Sequence, residues 1–472
     1  MTSIDVLPDD ILLSIFDFCV DKQDKDQESN QRPSKKVIEV WQSLVHVCRR
    51  WRRVVFGSPR RLNLRLLCTD KTPVRDILNV WPPLPLVILN HLTEGADNLV
   101  AVLERKDRVE RIELTHSDGE PSERVLAAMQ EPFPELTHLN MWLRGEIRET
   151  VPVLPDSFLG GSASHLQFLG LNRITFTGLP KLLLSTTHLV TLHLSGIPHS
   201  GYISPEAMAS TLSMLTSLKD LWLTFDSPRS HPHPESRRPP PPTRSVLPAL
   251  TRLLFRGACE YLDDFVARID APRLNDLPMT FFKDIVFDAP HLAQFINRAP
   301  MLKSLEITRV VFRSNSAIVK FSSQTSGYGS LNVEFSCREL NWIVSSVVQA
   351  CTSCSPLLST TEDLYIYQNI LNKYYILVWQ DDIELLELLR PFIAAKNLYL
   401  CKEMAPLIVP ALQELVGGRT TEVLPTLQNI FLEVRPSGPV QEVIQKFVAA
   451  RELSGHPITV SQWKRDSYED WF

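Results

Sequence analysis

The sequence predicts an α/β chain in which a small helical module precedes a solenoid of irregular strand-and-helix repeats. Three observations predict it. Amphipathic helical periodicity fills the first sixty residues, a Leu-x-x-Leu-x-Leu phrase returns every 23 to 32 residues, and short helical patterns fall between its copies.

Pro8 suits a first helical turn, where its missing N–H costs nothing, and Asp9 and Asp10 follow beside the positive end of the helix dipole. Ile11, Leu12, Ile15, Phe16 and Cys19 then share one side of a 3.6-residue period. A second helical pattern runs from Val37 to Phe56, with Trp41, Leu44, Val45, Cys48, Trp51 and Val55 on one face. Arg49, Arg50, Arg52 and Arg53 lie largely off that face and read as a solvated surface in preference to a nucleic-acid patch. Between the two patterns, the polar run 21–36 predicts an insertion loop. About forty ordered residues cannot remove enough apolar surface from water to stand alone, so the module must dock on the rest of the chain or on another protein. Periodicity does not choose between these.

The phrase appears at Leu136 to Met141, Leu166 to Leu171, Leu189 to Leu194, Leu218 to Leu223, Leu250 to Phe255, Leu274 to Met279 and Leu302 to Ile307. Helical patterns at Pro205 to Leu215, Leu262 to Ile269 and Pro290 to Ala299 supply one helix per strand. This is the spacing of leucine-rich repeats, and the usual Asn is missing from most copies, so irregular repeats are expected. After Phe312 the phrase fades. Strands at Leu331 to Phe335, Leu364 to Tyr367, Asn397 to Leu400 and Leu427 to Val434 continue the alternation. Helices at Leu340 to Ala350, Ile383 to Ala394, Met404 to Val416 and Val440 to Ala449 carry the solenoid from 66 to 460, before a tail at 461–472. A Pro-rich insertion at 228–244, holding His231 and His233, interrupts the array as an exposed loop or docking tract.

Composition narrows the function classes. With 472 residues, 44% hydrophobic content and a net charge of −5, the chain resembles an ordinary globular protein with no electrostatic case for nucleic acid or anionic membrane. Neither a secretory leader nor a long apolar run is legible, so a cytoplasmic or nuclear protein is expected. The eight cysteines are scattered, which predicts reduced thiols. Cys351 and Cys354 form one CxxC without a second ligand pair, favouring structural thiols over zinc. No phosphate-cradling glycine loop, Gly-x-Ser-x-Gly or His-Glu-x-x-His occurs, and Asp263-Asp264 and Asp381-Asp382 read as helix starts. No catalytic, cofactor-binding or metal-binding residue is therefore assigned.

Alternate positions of each strand phrase line the face opposite the helices. One row is Asn140, Gly170, His193, Trp222, Leu254, Pro278 and Glu306, and the next is Trp142, Asn172, Ser195, Thr224, Arg256, Thr280 and Thr308. Trp142 and Trp222, with Phe168 nearby, are of the aromatic type enriched at hot spots. Arg252 and Arg256 can orient a carboxylate or phosphate. The target-binding candidates are Asn140, Trp142, Phe168, His193, Trp222, Arg252, Arg256 and Glu306. Trp222 and Phe168 read equally well as side chains that simply cover the sheet.

Leu7-Pro8, Asp10, Ile11-Leu12, Ile15-Phe16, then Val45, Val47-Cys48-Arg49-Arg50-Trp51-Arg52 and Ser58 to Leu62, resemble the F-box motif in order and residue type. The resemblance covers residues 1–65, with an insertion longer than the family's usual spacing. It implies a three-helix module that binds a Skp-type adaptor and couples a receptor to a cullin-based ubiquitin ligase. By that analogy Leu7, Pro8, Ile11, Leu12, Ile15 and Phe16 contact the adaptor. Val45, Val47, Cys48 and Trp51 complete the interface or the module's own core. The expected function is a non-catalytic substrate-recognition subunit without cofactors, holding an unidentified target on its repeats. The alternatives are an interaction scaffold unconnected to ubiquitination, and an enzyme of unrecognised type centred near Cys351, Cys354 and Tyr365.

Overall fold

The structure is a computed structural model. It describes residues 7–27, 40–59, 61–69, 74–92, 96–116, 123–143, 153–227, 239, 241–282, 289–302, 305–313, 316–323, 329–336, 340–353, 358, 360–368, 382–416, 421–435 and 437–464. The chain divides into two compact units, Met1–Phe168 and Leu169–Phe472, so the boundary expected at residue 65 falls inside the first.

The first unit opens with helices α1 (Asp9–Gln27), α2 (Val40–Val47) and α3 (Arg49–Gly57). The single helix expected over 37–56 is broken at Cys48, whose backbone is extended (φ −157°, ψ 170°). The Cys48 Sγ accepts a hydrogen bond from the Trp51 N–H at 3.4 Å, satisfying one of the donors a helix start leaves open. The polar run expected as a loop begins as helix, since α1 continues to Gln27 through residues such as Lys and Gln that extend a helix readily. Residues 28–39, which hold the rest of that run, lie outside the described residues. Helices α4 (Val74–Val80), α5 (Ala96–Leu103) and α6 (Glu123–Ala128) then alternate with β1 (Leu66–Cys68), β2 (Leu86–Leu92), β3 (Val109–His116) and β4 (His138–Leu143). These strands pair in sequence order and all run parallel.

The second unit contains β5 (Phe168–Asn172) apart from its first residue, β6 (Thr191–Ile197), β7 (Asp220–Phe225), β8 (Arg252–Gly257), β9 (Asp276–Phe281), β10 (Ile307–Phe312), β11 (Ser316–Ser322) and β12 (Ser330–Ser336). It ends with β13 (Asp363–Gln368), β14 (Asn397–Leu400), β15 (Asn429–Leu432) and β16 (Thr459–Gln462). Helices α7 (Leu179–Ser185), α8 (Pro205–Leu212), α9 (Cys259–Val266), α10 (Pro290–Arg298), α11 (Leu340–Ser353), α12 (Asp382–Leu389), α13 (Ala405–Gln413) and α14 (Pro439–Leu453) lie between them. Phrase leucines form the interior: Leu189, Leu192 and Leu194, then Leu218, Leu221 and Leu223, then Leu250 and Leu253, are all buried. Each contributes roughly 1.5–3 kcal/mol through apolar surface removed from water, and neighbouring repeats are needed to remove it. The α/β fold is thus a helical module followed by leucine-rich-repeat-like units of irregular length.

One departure reorders the sheet. β9 does not pair with the next strand in sequence; the order runs β9-β12-β11-β10-β13, with β11 antiparallel to both neighbours and the other pairings from β6 to β16 parallel. The expected repeat strand at Leu302 to Ile307 is accordingly misplaced. Leu302 and Leu305 are buried ahead of the strand, and within β10 it is Thr308, Val310 and Phe312 that face the interior. Glu306 therefore precedes the strand and Thr308 is buried, so neither belongs to the exposed row assigned to them; Arg309 takes that place. The tail expected from 461 is also corrected, because β16 runs through residue 460 to Gln462. Of the Pro-rich insertion, 228–238 and 240 lie outside the described residues, as do His231, His233, Cys354 and Asp381.

At the start of the last strands a polar ladder runs across the repeats. Asn397 Nδ2 donates to Asp363 Oδ1 at 2.6 Å, Asn429 Nδ2 to Asn397 Oδ1 at 2.7 Å, and Thr459 Oγ1 to Asn429 Oδ1 at 2.6 Å. No helix among the described residues is long and apolar enough to cross a membrane.

Candidate functional site

In the module, Pro8 opens α1 by accepting backbone hydrogen bonds from Ile11 and Leu12 at 3.1 Å each. Asp9 in the first turn meets the Arg50 guanidinium at 2.7 Å, and Arg50 also donates to the Leu7 carbonyl, so the two halves of the motif are clamped together. Phe16 stacks obliquely on Trp51 at 4.8 Å between ring centroids. Trp41 is buried and meets Trp81, just beyond α4, at 5.2 Å, with Phe56 and His46 closing around Trp81. Its indole N–H donates to the Arg65 carbonyl at 3.1 Å. The module therefore docks on the first repeat through this aromatic group.

The residues expected to meet an adaptor divide into two sets. Leu12, Phe16 and Val45 are wholly buried and hold the module together. That is a correction for Leu12 and Phe16, because an apolar helical face does not say which of its rows the neighbouring helices cover; Val45 takes the second of its two expected places, in the module's own core. Leu7, Cys48 and Trp51 are part-exposed and Pro8 is exposed. Ile11 is 48% exposed, Ile15 42% and Val47 58%. Phe18, which periodicity left out, is 73% exposed. Ile11, Ile15 and Phe18 stand at i, i+4 and i+7, on one side of α1. The missing signal was a second apolar row beside the first.

On the face of the repeats away from the helices, the register places His193 beside Trp222 and Trp222 beside Leu254. The His193 and Trp222 rings stack at 3.9 Å, and the Arg252 guanidinium lies 5.4 Å from the Trp222 ring centroid. Asp220 sits 3.3 Å from His193 Nε2 and Asp276 3.0 Å from Arg252 Nε, while Trp222 Nε1 is buried with no hydrogen-bond partner among the described residues. His193, Trp222 and Arg252 thus form one cluster. Arg256, four residues beyond Arg252, is exposed and reaches over Phe282 at 5.7 Å. In the first unit Asn140 lies beside Glu113 in the register, Trp142 is 41% exposed, and Phe168 stacks on His138 at 4.1 Å. Glu306 joins none of these groups.

A larger aromatic group lies elsewhere on the same face. Tyr365 and Tyr399 stack at 4.0 Å and Tyr399 and Phe431 at 4.5 Å, in register across β13, β14 and β15. Arg309 caps the row 5.0 Å from the Tyr365 centroid, and Trp463 leans edge-on against Tyr399 at 5.7 Å. The sequence does carry this signal: Leu364-Tyr365-Ile366, Leu398-Tyr399-Leu400 and Ile430-Phe431-Leu432 each place an aromatic residue between two buried aliphatic ones. Burial, with the Tyr399 phenol and Asp363 nearby, pushes the Tyr365 phenol well above its usual range.

Among the described residues, Cys401, Glu403 and Glu433 bring donor atoms within 4.8 Å of one another. Burial pushes the Cys401 thiol up to about 11, and its Sγ accepts from the Gln368 N–H at 3.4 Å. Glu433 accepts from the Lys402 backbone N–H at 3.0 Å, and Lys402 Nζ lies 3.5 Å from Glu403. A protonated thiol and two engaged carboxylates are poor metal ligands at neutral pH. Cys351, the described half of the CxxC, is buried.

The module and the repeats define a small helical domain joined to a strand-and-helix repeat array. The F-box-like family model matches residues 4–62, so this chain carries an F-box-like domain followed by leucine-rich-repeat-like units. Among solved structures, the leucine-rich-repeat-containing protein LegL7 from Legionella pneumophila is similar at 15% identity, over 75% of this chain and 95% of that one, with a TM-score of 0.29. No curated protein matches.

Proposed function

We propose that the chain is a non-catalytic substrate-recognition subunit of a Skp/cullin/F-box ubiquitin ligase, working in the cytoplasm or nucleus. Residues 1–65 take the adaptor and, through it, the cullin; the repeats across 66–460 hold a target protein. The contribution is proximity: a bound target stays within reach of a conjugating enzyme brought by the same assembly. One observation carries the reading. In a module matched to the F-box-like family, Ile11, Ile15, Phe18 and Val47 expose large apolar side chains although Leu12, Phe16 and Val45 are buried. Apolar rows left open beside a closed interior mark a protein-docking surface. Leu7 and Pro8 flank that row at the start of α1 and are assigned to the same contact, with Cys48 and Trp51 supporting it from beneath. Trp222, His193, Arg252 and Arg256, with Asn140, Trp142 and Phe168, are assigned to the target.

The test is a pull-down with purified Skp-type adaptor, comparing the native chain with Leu7→Ala/Pro8→Ala and with Ile15→Asp/Phe18→Asp. Binding by the native chain and its loss in both variants supports the reading. Failure of the native chain to bind overturns it and leaves the repeats as a scaffold.

A further inference from the structure

The outer face of β10 to β16 carries an aromatic strip with cations at one end. Along one register row Lys320 lies beside Arg309, Arg309 beside Tyr365, Tyr365 beside Tyr399, and Tyr399 beside Phe431. Because the tyrosine and phenylalanine rings stack face to face, the row offers a ligand ring edges and not faces, and Trp463 already meets those of Tyr365 and Tyr399. Ring edges carry the positive part of the aromatic quadrupole and favour carboxylate oxygens and the faces of other rings. Arg309 and Lys320 add full positive charge. The strip therefore suits a short segment that combines carboxylates with aromatic side chains. The Trp463 ring lies beside the row, 6.0 Å from Tyr365 and 5.7 Å from Tyr399, and with Lys402, Glu433, Val434, Gln462 and Lys464 it lines a shallow cavity beside Phe431's strand; Val434 is 53% exposed.

The residues after Lys464 have that composition. They read Arg465-Asp466-Ser467-Tyr468-Glu469-Asp470-Trp471-Phe472, three acids and three aromatics in eight positions, and lie outside the described residues. Eight residues at roughly 3.3 Å each span about 26 Å. From β16 to β11, which holds Lys320, is five strand positions, about 24 Å at roughly 4.8 Å per strand. The segment starts at one end of the strip and is long enough to reach the other.

We propose that residues 465–472 bind in cis along this strip, bringing Glu469 and Asp470 toward Arg309 and Lys320 and laying aromatic side chains against the ring edges. A partner that uses this part of the repeats must displace the segment. The inference stands apart from the adaptor reading, since it concerns only the second unit.

The test uses a fluorescent synthetic peptide of sequence Arg465 to Phe472, titrated by anisotropy into the chain ending at Lys464. The peptide is expected to bind, and Arg309→Glu or Tyr399→Ala to weaken it by about tenfold or more. The full chain should take up the peptide at least about tenfold more weakly, because a tethered segment competes at an effective concentration on the order of mM. No binding to the shortened chain, equal binding to both chains, or indifference to Arg309→Glu would each overturn the proposal. Should the shortened chain not fold, the full chain bearing Trp471→Ala and Phe472→Ala keeps every described residue. Faster hydrogen exchange in β13 to β15 of that variant than in the native chain supports the proposal, and identical exchange refutes it.

Discussion

The rings of Phe16 and Trp51 meet at 4.8 Å with their planes inclined by 58°, one from each half of the F-box-like motif. The contact ties together two halves that a long insertion separates in the sequence. The partly exposed Trp51 and the buried Trp41 divide its stability unequally.

Trp41→Ala is expected to destabilise the first unit by about 3–5 kcal/mol, since it opens a cavity and leaves the Arg65 carbonyl without its donor. Trp51→Ala should cost less, about 2 kcal/mol, because part of its ring already faces solvent. Hydrogen exchange of the α1 to α3 amides under native conditions reads both. Equal losses would contradict the burial difference.

Leu12→Ala and Phe18→Ala separate folding from docking. The first should lower the stability of the module by about 2–5 kcal/mol. The second should leave it within about 0.5 kcal/mol while weakening adaptor binding by roughly 1–2 kcal/mol. Thermal unfolding and calorimetric titration with the adaptor, run on the same preparations, report the two quantities. A Phe18→Ala variant that unfolds would place Phe18 in the interior.

Glu113 gives an acid-side signature. Burial by itself would raise its carboxyl, but the His138 hydrogen bond and the Arg111 guanidinium outweigh it and hold the group down to about 2 from an ordinary value of 4.5. A lowered folded value means the stabilisation is complete above pH 4.5 and fades as pH falls toward 2. Glu113→Gln should cost about 1–2 kcal/mol at neutral pH, reduced by its partial exposure, and this difference should vanish near the lower limit. Urea unfolding of both proteins from pH 2 to 7 checks it; a constant difference would refute it.

Asn397 stands in the middle of the polar ladder, donating to Asp363 and accepting from Asn429. Asn397→Ala removes both of these hydrogen bonds and should cost about 1–3 kcal/mol. Asn397→Asp should cost at least as much at neutral pH, since it sets a carboxylate against Asp363, and should recover on acidification. Melting curves at pH 4 and 8 distinguish the variants.

Much of the fold was legible in the sequence because its governing signal is local. Leu192 and Leu194 are buried in β6, with Leu189 buried just ahead of it, and Leu221 and Leu223 are buried in β7, with Leu218 just ahead, at the positions their spacing assigns. The order of β10, β11 and β12 was not legible, since strand pairing depends on contacts distant in sequence and Ser316–Ser322 lacks the leucine phrase. The same limit misassigned Glu306 and Thr308. In the module, periodicity found Ile11 and Ile15 but also Leu12 and Phe16, because a helix has an apolar face before it has neighbours. The Tyr365, Tyr399 and Phe431 row was written in the sequence, and only the fading of the phrase around it hid the pattern.

The reversed strand triplet bears on how the chain is made. Thr224 and Gly196, on adjacent strands, are separated by 28 residues, whereas Thr280 and its partner Glu334 are separated by 54. At a ribosomal pace of about 5–20 residues per second, the edge of β9 waits roughly 3–11 s for β12 to emerge. During that interval its backbone N–H and C=O groups are open to any passing strand. Growth of the array one repeat at a time must pause there, and nascent copies on the same polysome are each other's nearest source of a wrong partner.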